Sequence, residues 1–466
     1  MGRKAKKSQV SEALESGVLP LLELKFEAPL FAFAAHPTRP ILALGLANGY
    51  MFMIEYDTSK LALTMQDLKR TYKKSKAVES KTKLKQWRVE TLAKDSELAD
   101  GLRIIWKTKR HKGSVRSICF NSDGEEIYSI GSDHVLKKAH TTNGKVIKKT
   151  TVENCSPMKL YKSETHPFLI IGDEEGNVHV IDSESLKLKN VVQKVHEDAI
   201  NAIVPMKKKS VYQFVSVGST TVSLWDTRKT ASNITSENQE DEILSACFVN
   251  PEDGETLVCG MGEGIVTVWK YSKNEFTDQI SRVKVCKDES IDCIISTLQD
   301  DGCCWCGCSS GDVFKVDVKR GKLVESRVHS SIDEVGFLDL DYEYRLISGG
   351  MDKLKLWNDS DDASDTSHGS ASDSLAEQAS DSDDDSEDDS EDDSDDSSAE
   401  HPAQAVTTES ATTTHAVHTE HASSDNSSSE PEVEQATPKK KKQKLTTKQV
   451  RNLQKHEHGI RRFDDL

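Results

Sequence analysis

The chain has 466 residues, with 61 Lys and Arg against 78 Asp and Glu, and a net charge of −17 at pH 7. The acidity is confined to one end: residues 359–466 carry 28 acidic and 10 basic side chains, which leaves about +1 for residues 1–358. No run of about 18 apolar residues predicts a membrane span, and the basic start MGRKAKKSQV lacks the apolar core of a signal peptide. We therefore expect no membrane partner, and a basic leader over residues 1–18.

Seven similar units follow the leader over residues 19–358. Each unit has a small residue at the end of an apolar run, and successive separations are 84, 43, 44, 44, 47 and 41 residues. These anchor residues are Gly45, Ser129, Gly172, Ser216, Gly260, Gly307 and Ser348. Most units place a turn-forming residue four positions later, and several end in a motif such as LWDTR or LWND. A period of 40–50 residues built from short strands is typical of a β-propeller.

The first separation exceeds the others by about 40 residues, which predicts an insert within residues 58–105 of the first unit. The insert contains the basic stretch LKRTYKKSKAVESKTKLKQWR. Cations attract phosphate through counterion release and aromatic rings stack on bases, which favours contact with RNA or an acidic protein. The alternative is a solvated loop or helix. The candidate contact residues are Lys69, Arg70, Lys73, Lys74, Lys76 and Trp87.

The stretch DGCCWCGCSSGD, residues 301–312, holds four of the ten cysteines. The residue before each anchor is Leu, Tyr, Ile, Val or Cys, and Cys306 takes that position in the sixth unit. Alternate residues of a strand lie roughly 6.6 Å apart, too far for their sulfurs to enclose one zinc ion. We therefore expect small hydrophobic side chains here, and neither a metal nor a cofactor.

The period, the turn and the Trp-Asp ending resemble the WD-repeat family, whose fold is a β-propeller. The resemblance implies an all-β, seven-bladed propeller with a basic insert in blade 1, in which residues 22–26 complete the last blade and remove its open edge. It also implies a structural hydrogen-bonded set of His, Ser or Thr, Asp and Trp. The matching residues are His329, Ser348, Asp352 and Trp357 in unit seven, His196, Ser216 and Trp225 in unit four with Thr220 in place of Asp, and His111, Ser129 and Asp133 in unit two.

Residues 359–438 form an acidic linker rich in Ser and Asp. Residues 359–434 contain 25 Asp and Glu and no Lys or Arg. Such a segment cannot bury enough apolar surface to offset the entropy of ordering, so we expect a disordered tail that attracts basic proteins. Ser382, Ser386 and Ser390 each precede an acidic residue by three positions, as acidophilic kinases prefer, and are candidate phosphorylation sites.

Residues 439–466 are basic again. The run PKKKKQK resembles a nuclear localisation signal. The segment TTKQVRNLQKHEHG, residues 446–459, is compatible with a basic docking helix, and EHGIRRFDDL with a docking peptide. The nuclear localisation candidates are Lys439, Lys440, Lys441, Lys442 and Lys444.

The segments FAAHPTRPILALGLANGY and HKGSVRSICFNSDGEEIYSIGSD, the acidic linker and the terminal EHGIRRF are similar to the fungal Jip-type WD-repeat proteins, whose vertebrate relatives are nucleolar. The resemblance implies a nuclear and nucleolar, non-catalytic scaffold for large-subunit assembly and ribosomal RNA processing or production. Its implied partners are pre-ribosomal proteins, with direct contact to ribosomal RNA left open. We expect a monomer within a larger assembly.

Two other functions compete with this one. The residues Trp225, Asp226, Thr227 and Arg228 resemble the WDxR signature of substrate receptors of cullin ubiquitin ligases, and the acidic tail is compatible with histone or chromatin binding. The sequence contains no phosphate loop of the GxxxxGK type and no zinc pattern. We expect no enzymatic activity and no small-molecule substrate.

Overall fold

A computed structural model describes residues 17–77, 85–93, 98, 100–231 and 234–358. These residues form seven separate sheets arranged as the blades of a propeller, which confirms the predicted all-β fold and the number of blades. The predicted leader falls almost wholly outside the described residues, and the predicted acidic linker and basic C-terminal segment lie entirely outside them. Among the described residues, none of the helices is long and apolar enough to cross a membrane.

The strands of the first three blades follow in chain order, apart from the insert in blade 1. The chain enters through β1 (Pro20–Phe26), and blade 1 contains β2 (Leu30–Ala35), β3 (Ile41–Leu46), β4 (Tyr50–Tyr56) and, after α1 (Thr58–Ala77) and β5 (Arg88–Leu92), β6 (Leu102–Lys109). Blade 2 contains β7 (Val115–Phe120), β8 (Glu126–Gly131), β9 (Val135–His140) and β10 (Val146–Thr151). Blade 3 contains β11 (Pro157–Lys162), β12 (Phe168–Asp173), β13 (Val178–Asp182) and β14 (Leu188–Val192).

The remaining four blades repeat the pattern. Blade 4 contains β15 (Ala202–Pro205), β16 (Gln213–Val217), β17 (Val222–Asp226) and β18 (Ile234–Thr235). Blade 5 contains β19 (Ile243–Phe248), β20 (Thr256–Met261), β21 (Ile265–Lys270) and β22 (Ser281–Lys284), with the short helix α2 (Tyr271–Asn274) after β21. Blade 6 contains β23 (Ile291–Ser296), β24 (Cys303–Cys308), β25 (Asp312–Asp317) and β26 (Lys322–Val328), and blade 7 begins with β27 (Phe337–Leu340), β28 (Leu346–Gly349) and β29 (Lys353–Trp357).

The first strands of the seven blades close a ring. Strand β2 contacts β7, and the contacts continue through β11, β15, β19, β23 and β27 back to β2. The second strand of each blade is almost completely buried, as in β3, β12 and β24, because neighbouring blades cover both of its faces. The two-sided burial explains why these strands read as continuous apolar runs and not as alternating ones.

Blade 7 is completed by the beginning of the chain. Strand β1 pairs antiparallel with β29, with Leu24 opposite Leu354, which confirms the predicted closure by residues 22–26. Leu22 and Leu24 are both 0% exposed and belong to the largest core cluster. Hydrogen bonds between the first and last strands therefore hold the ring shut.

The insert differs from the prediction in extent and attachment. Strand β6 begins at Leu102, which pairs with Tyr56, so the residues predicted as insert up to 105 overlap the outer strand of blade 1. The physical reason is that β4 needs a fourth strand to cover its edge. Strand β5 pairs in parallel with β1 and becomes a fifth strand of blade 7, and α1 packs against β1 and β5.

The pairing of β1 with β29 predicts that truncating the buried side chain of Leu24 strongly lowers the free energy of unfolding. We expect Leu24→Ala to lower the free energy of unfolding by about 2–5 kcal/mol, because it leaves a cavity where β1 meets β29. The neighbouring Lys25 is exposed, so Lys25→Ala is the matched control and should change that free energy by less than about 0.5 kcal/mol. Urea unfolding of the full chain measures both, and equal effects would contradict the closure.

Candidate functional site

His111 lies at the centre of a hydrogen-bonded network in blade 2. Its Nδ1 is 2.9 Å from Asp133 Oδ1, and its Nε2 is 2.9 Å from Ser129 Oγ. Burial lowers the pKa of His111 to about 4, so the ring is neutral at pH 7. Asp133 Oδ2 also accepts the backbone N–H of Lys112 at 3.0 Å. The network thus fastens the loop before β7 to the turn between β8 and β9.

Blade 4 contains a related network around His196. Ser216 Oγ lies 2.7 Å from His196 Nε2 and accepts the indole N–H of Trp225 at 2.9 Å. The Nδ1 of the ring lies 2.7 Å from Thr221 Oγ1, so Thr221 takes the place that the sequence analysis gave to Thr220. Burial lowers the pKa of His196 to about 4, and this ring is also neutral at pH 7.

The network of blade 7 differs from the prediction in its carboxylate. Ser348 Oγ lies 2.8 Å from His329 Nδ1 and accepts the indole N–H of Trp357 at 2.8 Å. The acid beside the ring is Asp333, whose Oδ2 is 3.9 Å from His329 Nε2, and not the predicted Asp352. Asp352 donates its backbone N–H to Asp333 Oδ2 at 3.1 Å. The reason is local: Asp333 follows His329 by four residues, and its carboxylate accepts hydrogen bonds from the turn that contains Asp352.

These networks contain His–Ser contacts like those of hydrolases. Their serines, however, are buried within the blades and hydrogen-bonded to structural groups. Ser216 and Ser348 are both 0% exposed. Each Oγ contacts a His ring and also accepts an indole N–H, whereas a nucleophilic hydroxyl must reach a substrate. The recurrence of the His–Ser contact at the same position in three blades assigns it to the fold.

A different arrangement occupies blade 3, where Cys155, Asp173 and His179 are buried close together. Asp173 Oδ1 accepts backbone N–H groups of Glu175 and Asn177, and Oδ2 accepts Asn177 Nδ2 at 3.1 Å and lies 2.8 Å from His179 Nε2. The carboxylate lone pairs are thus used within the blade, which argues against a metal ion bound there. The contact between Asp173 and His179 was not predicted from the sequence, although Asp173 directly follows an anchor residue.

The cysteines of residues 301–312 lie on β24 and are all buried and free. Cys304, Cys306 and Cys308 are 0% exposed and pack in the core cluster between blades 5 and 6, together with Val258 and Val268. Cys306 is buried at the position before the anchor, which most other blades give to Leu, Ile or Val, as the repeat alignment predicts.

Four of the six predicted contact residues in the insert have described side chains on α1. Leu61 and Met65 are buried in the core cluster of blades 7 and 1, and the opposite face of the helix is exposed. Arg70, Lys73 and Lys74 are exposed on that face, whereas Lys69 is half-buried and Lys76 lies in the last turn. We call Arg70, Lys73 and Lys74 the basic face. Arg70 pairs with Asp67 at 3.1 Å.

Trp87 does not belong to the basic face. Its indole N–H donates to Glu23 Oε2 at 2.9 Å, and the Nζ atoms of Lys85 and Lys355 each lie 5.2 Å from the centre of its ring. Glu23 is 1% exposed on β1 and also accepts Lys85 Nζ at 2.6 Å. These contacts attach the insert to β1 and β29 and give Trp87 a structural role, whereas its stacking on bases stays a prediction.

The remaining predicted residues are those of the WDxR-like motif, which the structure describes, and those of the C-terminal segments, which it does not. Arg228 of the WDxR-like motif donates to both carboxylate oxygens of Asp226, at 2.9 and 2.6 Å, and its guanidinium lies 4.5 Å from the ring centre of Tyr212. The predicted phosphorylation and nuclear localisation residues lie outside the described part of the chain. They are Ser382, Ser386, Ser390, Lys439, Lys440, Lys441, Lys442 and Lys444.

Lys355 gives the attachment of the insert a measurable pH dependence. Burial lowers its pKa from 10.5 to about 8, with Glu23 opposing the shift. Between those pH values the unfolded chain holds a proton that the folded chain has lost, so the free energy of unfolding should rise with pH, by on the order of 1–3 kcal/mol. We expect Lys355→Met to remove this rise in urea unfolding series, with Lys25→Met as the control. An unchanged slope in the Lys355 variant would contradict the assignment.

Comparisons with known proteins agree with this architecture. The pattern of the WD domain, G-beta repeat family matches residues 103–137, which run from β6 of blade 1 to β9 of blade 2. WD propellers are typically non-catalytic platforms for protein interaction.

Fungal relatives match most of the chain. The WD repeat-containing protein JIP5 of Eremothecium gossypii is 48% identical over 80% of this chain and 76% of its own length. The JIP5 proteins of Candida glabrata and Saccharomyces cerevisiae strain S288c are 48% and 44% identical, over 74% and 77% of this chain and 72% and 81% of their own lengths. With that identity over that share of both chains, the protein belongs to the fungal JIP5 family of WD-repeat proteins.

Proposed function

We propose that this protein is a non-catalytic nucleolar scaffold that acts in assembly of the large ribosomal subunit and in ribosomal RNA processing or production. The proposal combines the interaction platform of a WD propeller with the family likeness, whose implied role is ribosome biogenesis. The nuclear part of the proposal is supported by the sequence PKKKKQK. Its implied partners are pre-ribosomal proteins, with basic proteins reaching the acidic residues 359–434.

The observation that carries the proposal is the basic face on a helix fixed to the disc. Leu61 and Met65 anchor α1 in the core, and β5 continues the insert as a strand of blade 7. The cations of Lys73 and Lys74 therefore project from a rigid support and not from a free loop. A rigid support lowers the entropy lost on binding, so such a surface binds an anionic partner more tightly than the same charges on a flexible segment.

Ribosomal RNA is the anionic partner that best fits this surface in a pre-ribosome. Lysines that contact phosphates release counterions, and binding then weakens steeply with salt. An acidic protein would be attracted by the same charges, with a salt dependence set by its own charge pattern.

A cullin-linked function is the competing proposal. The ion pair of Arg228 with Asp226 and its contact with Tyr212 engage the guanidinium of the WDxR-like motif within the blade. This geometry does not favour the competing function, which remains an outcome of the experiment below.

Sedimentation tests the proposed role directly. We expect the protein from cell extract to co-sediment with large-subunit precursors in a sucrose gradient, and its depletion to lower mature large-subunit RNA relative to small-subunit RNA. Recovery with a cullin adaptor, together with unaltered ribosome profiles after depletion, would support the competing function and overturn this one.

The basic face is tested by charge reversal. We expect Lys73→Glu with Lys74→Glu to weaken association with precursor particles, and to reduce the slope of log affinity against log salt by roughly 1–2, because about two phosphate contacts are lost. The matched control reverses Lys319 and Lys322, which are exposed near the start of β26 on blade 6. Equal behaviour of the two double variants would remove the basic face from the proposal while leaving the scaffold role testable by sedimentation.

A further inference from the structure

Blade 6 has a cysteine where blades 2, 4 and 7 have the histidine of their networks. In blade 4, His196 donates its backbone N–H to the carbonyl of the turn residue Gly176, at 3.3 Å. Cys286 makes the equivalent bond to the carbonyl of Gly264, at 3.2 Å. Cys286 therefore stands at the histidine position of its blade, at the end of the loop that leads from β22 towards β23.

The partner of Cys286 is also a cysteine. Its Sγ lies 3.6 Å from Sγ of Cys308, the last residue of β24. Cys308 is 0% exposed, whereas Cys286 is half-buried, and its Sγ also lies 3.4 Å from the carbonyl oxygen of Glu289 in the loop. A disulfide requires an S–S distance of ~2 Å, so the two sulfurs need to approach by only about 1.5 Å, within the reach of side-chain rotation.

The surroundings of Cys286 favour its thiolate. The hydrogen bond with Cys308 lowers the pKa of Cys286, burial opposes that effect, and the ammonium of Lys284 lowers the pKa further against the carboxylates of Glu289 and Asp292. Thiolates, not thiols, react with peroxides.

Other cysteines of the propeller do not combine a lowered thiol pKa with partial exposure. Burial raises the pKa of Cys119 and of Cys155 to about 12. Cys304 and Cys306 have sulfurs 3.9 Å apart, but both are 0% exposed within β24. Their position leaves no solvent-open thiol to react first.

We propose that Cys286 and Cys308 are a modification site at which a peroxide forms an intramolecular disulfide. The thiolate of Cys286 attacks one oxygen of hydrogen peroxide, the O–O bond breaks, and a sulfenic acid and hydroxide form. The thiol of Cys308 then gives up its proton and attacks that sulfur, the S–O bond breaks, and the departing hydroxide takes the proton as water. Two thiols and one peroxide thus give one disulfide and two waters.

The disulfide would replace a weak contact by a covalent one, from the histidine position of the blade to Cys308, one residue beyond the anchor position at which blades 2, 4 and 7 place the Ser of their networks. It would fasten the loop between β22 and β23 to β24, at the junction of blades 5 and 6. Reduction by thiols would return the pair to two free cysteines by thiol–disulfide exchange.

Peptide mapping of the full chain tests the proposal. The purified protein is treated with hydrogen peroxide in the folded state, remaining thiols are blocked with N-ethylmaleimide, and trypsin is added without reductant. Cleavage after Lys284 and Lys287 isolates Cys286 in the peptide VCK. We expect this peptide to appear joined to residues 288–315 and to be released by dithiothreitol. The joined species should have the summed mass of the two peptides less two hydrogens, plus one N-ethylmaleimide group on each of the four other cysteines of residues 288–315.

Three variants assign the bond. Cys286→Ser and Cys308→Ala should abolish the joined peptide, whereas Cys306→Ala, on the same strand, should retain it. Persistence of the link in Cys308→Ala, or recovery of Cys286 only as the blocked thiol, would overturn the proposal. If Cys308→Ala does not fold, fragmentation of the wild-type joined peptide locates the bond, and a link to any of the other four cysteines of that peptide, Cys293, Cys303, Cys304 or Cys306, would equally overturn the proposal.

Discussion

The pairing of β1 with β29 is the interaction on which the rest of the molecule depends. Each blade covers its neighbours, so a ring of seven is stable only when the last blade has a complete sheet. The register that sets Leu24 opposite Leu354 supplies that sheet from the opposite end of the folded part. Without it, β29 would present an open edge, and the core cluster shared by blades 7 and 1 would lose Leu22 and Leu24.

The same strand supports the most distinctive addition to the ring. Strand β5 pairs with β1 on the side away from β29, and buried Glu23 holds Lys85 and Trp87 of the insert. Burial alone raises the pKa of Glu23, but the hydrogen bonds from these two residues lower it on balance, so the carboxylate is charged at neutral pH. Ring closure and presentation of the basic face therefore depend on one strand, and the surface proposed to bind an anionic partner is coupled to the stability of the ring.

The sequence predicted the ring better than its details, for physical reasons. The blade period is repeated seven times, so a chance similarity in one unit has little influence on the alignment of all seven. Burial on both faces of the second strand also leaves a recognisable apolar run in every unit. Asp333 was missed because the family pattern gives the acid to the turn after the anchor, whereas here a loop carboxylate accepts the turn's hydrogen bonds. Strand β5 was not predicted because it pairs in parallel with β1, more than 60 residues earlier in the chain. Such a pairing involves no tight turn that could be recognised in the sequence. Trp87 was assigned by residue type alone, and only the structure reveals its bond to Glu23.

The meeting of β1 and β29 brings the two ends of the propeller together, since the backbone N–H of Asn358 donates to the carbonyl of Leu19 at 3.3 Å. A propeller whose first and last strands meet has no obligatory starting blade. A circularly permuted gene, with positions 19 and 358 joined by a short linker and new termini cut in an exposed turn between other blades, would encode the same set of contacts in a new order. The order of synthesis and the order of blades around the disc are thus separable properties of this protein.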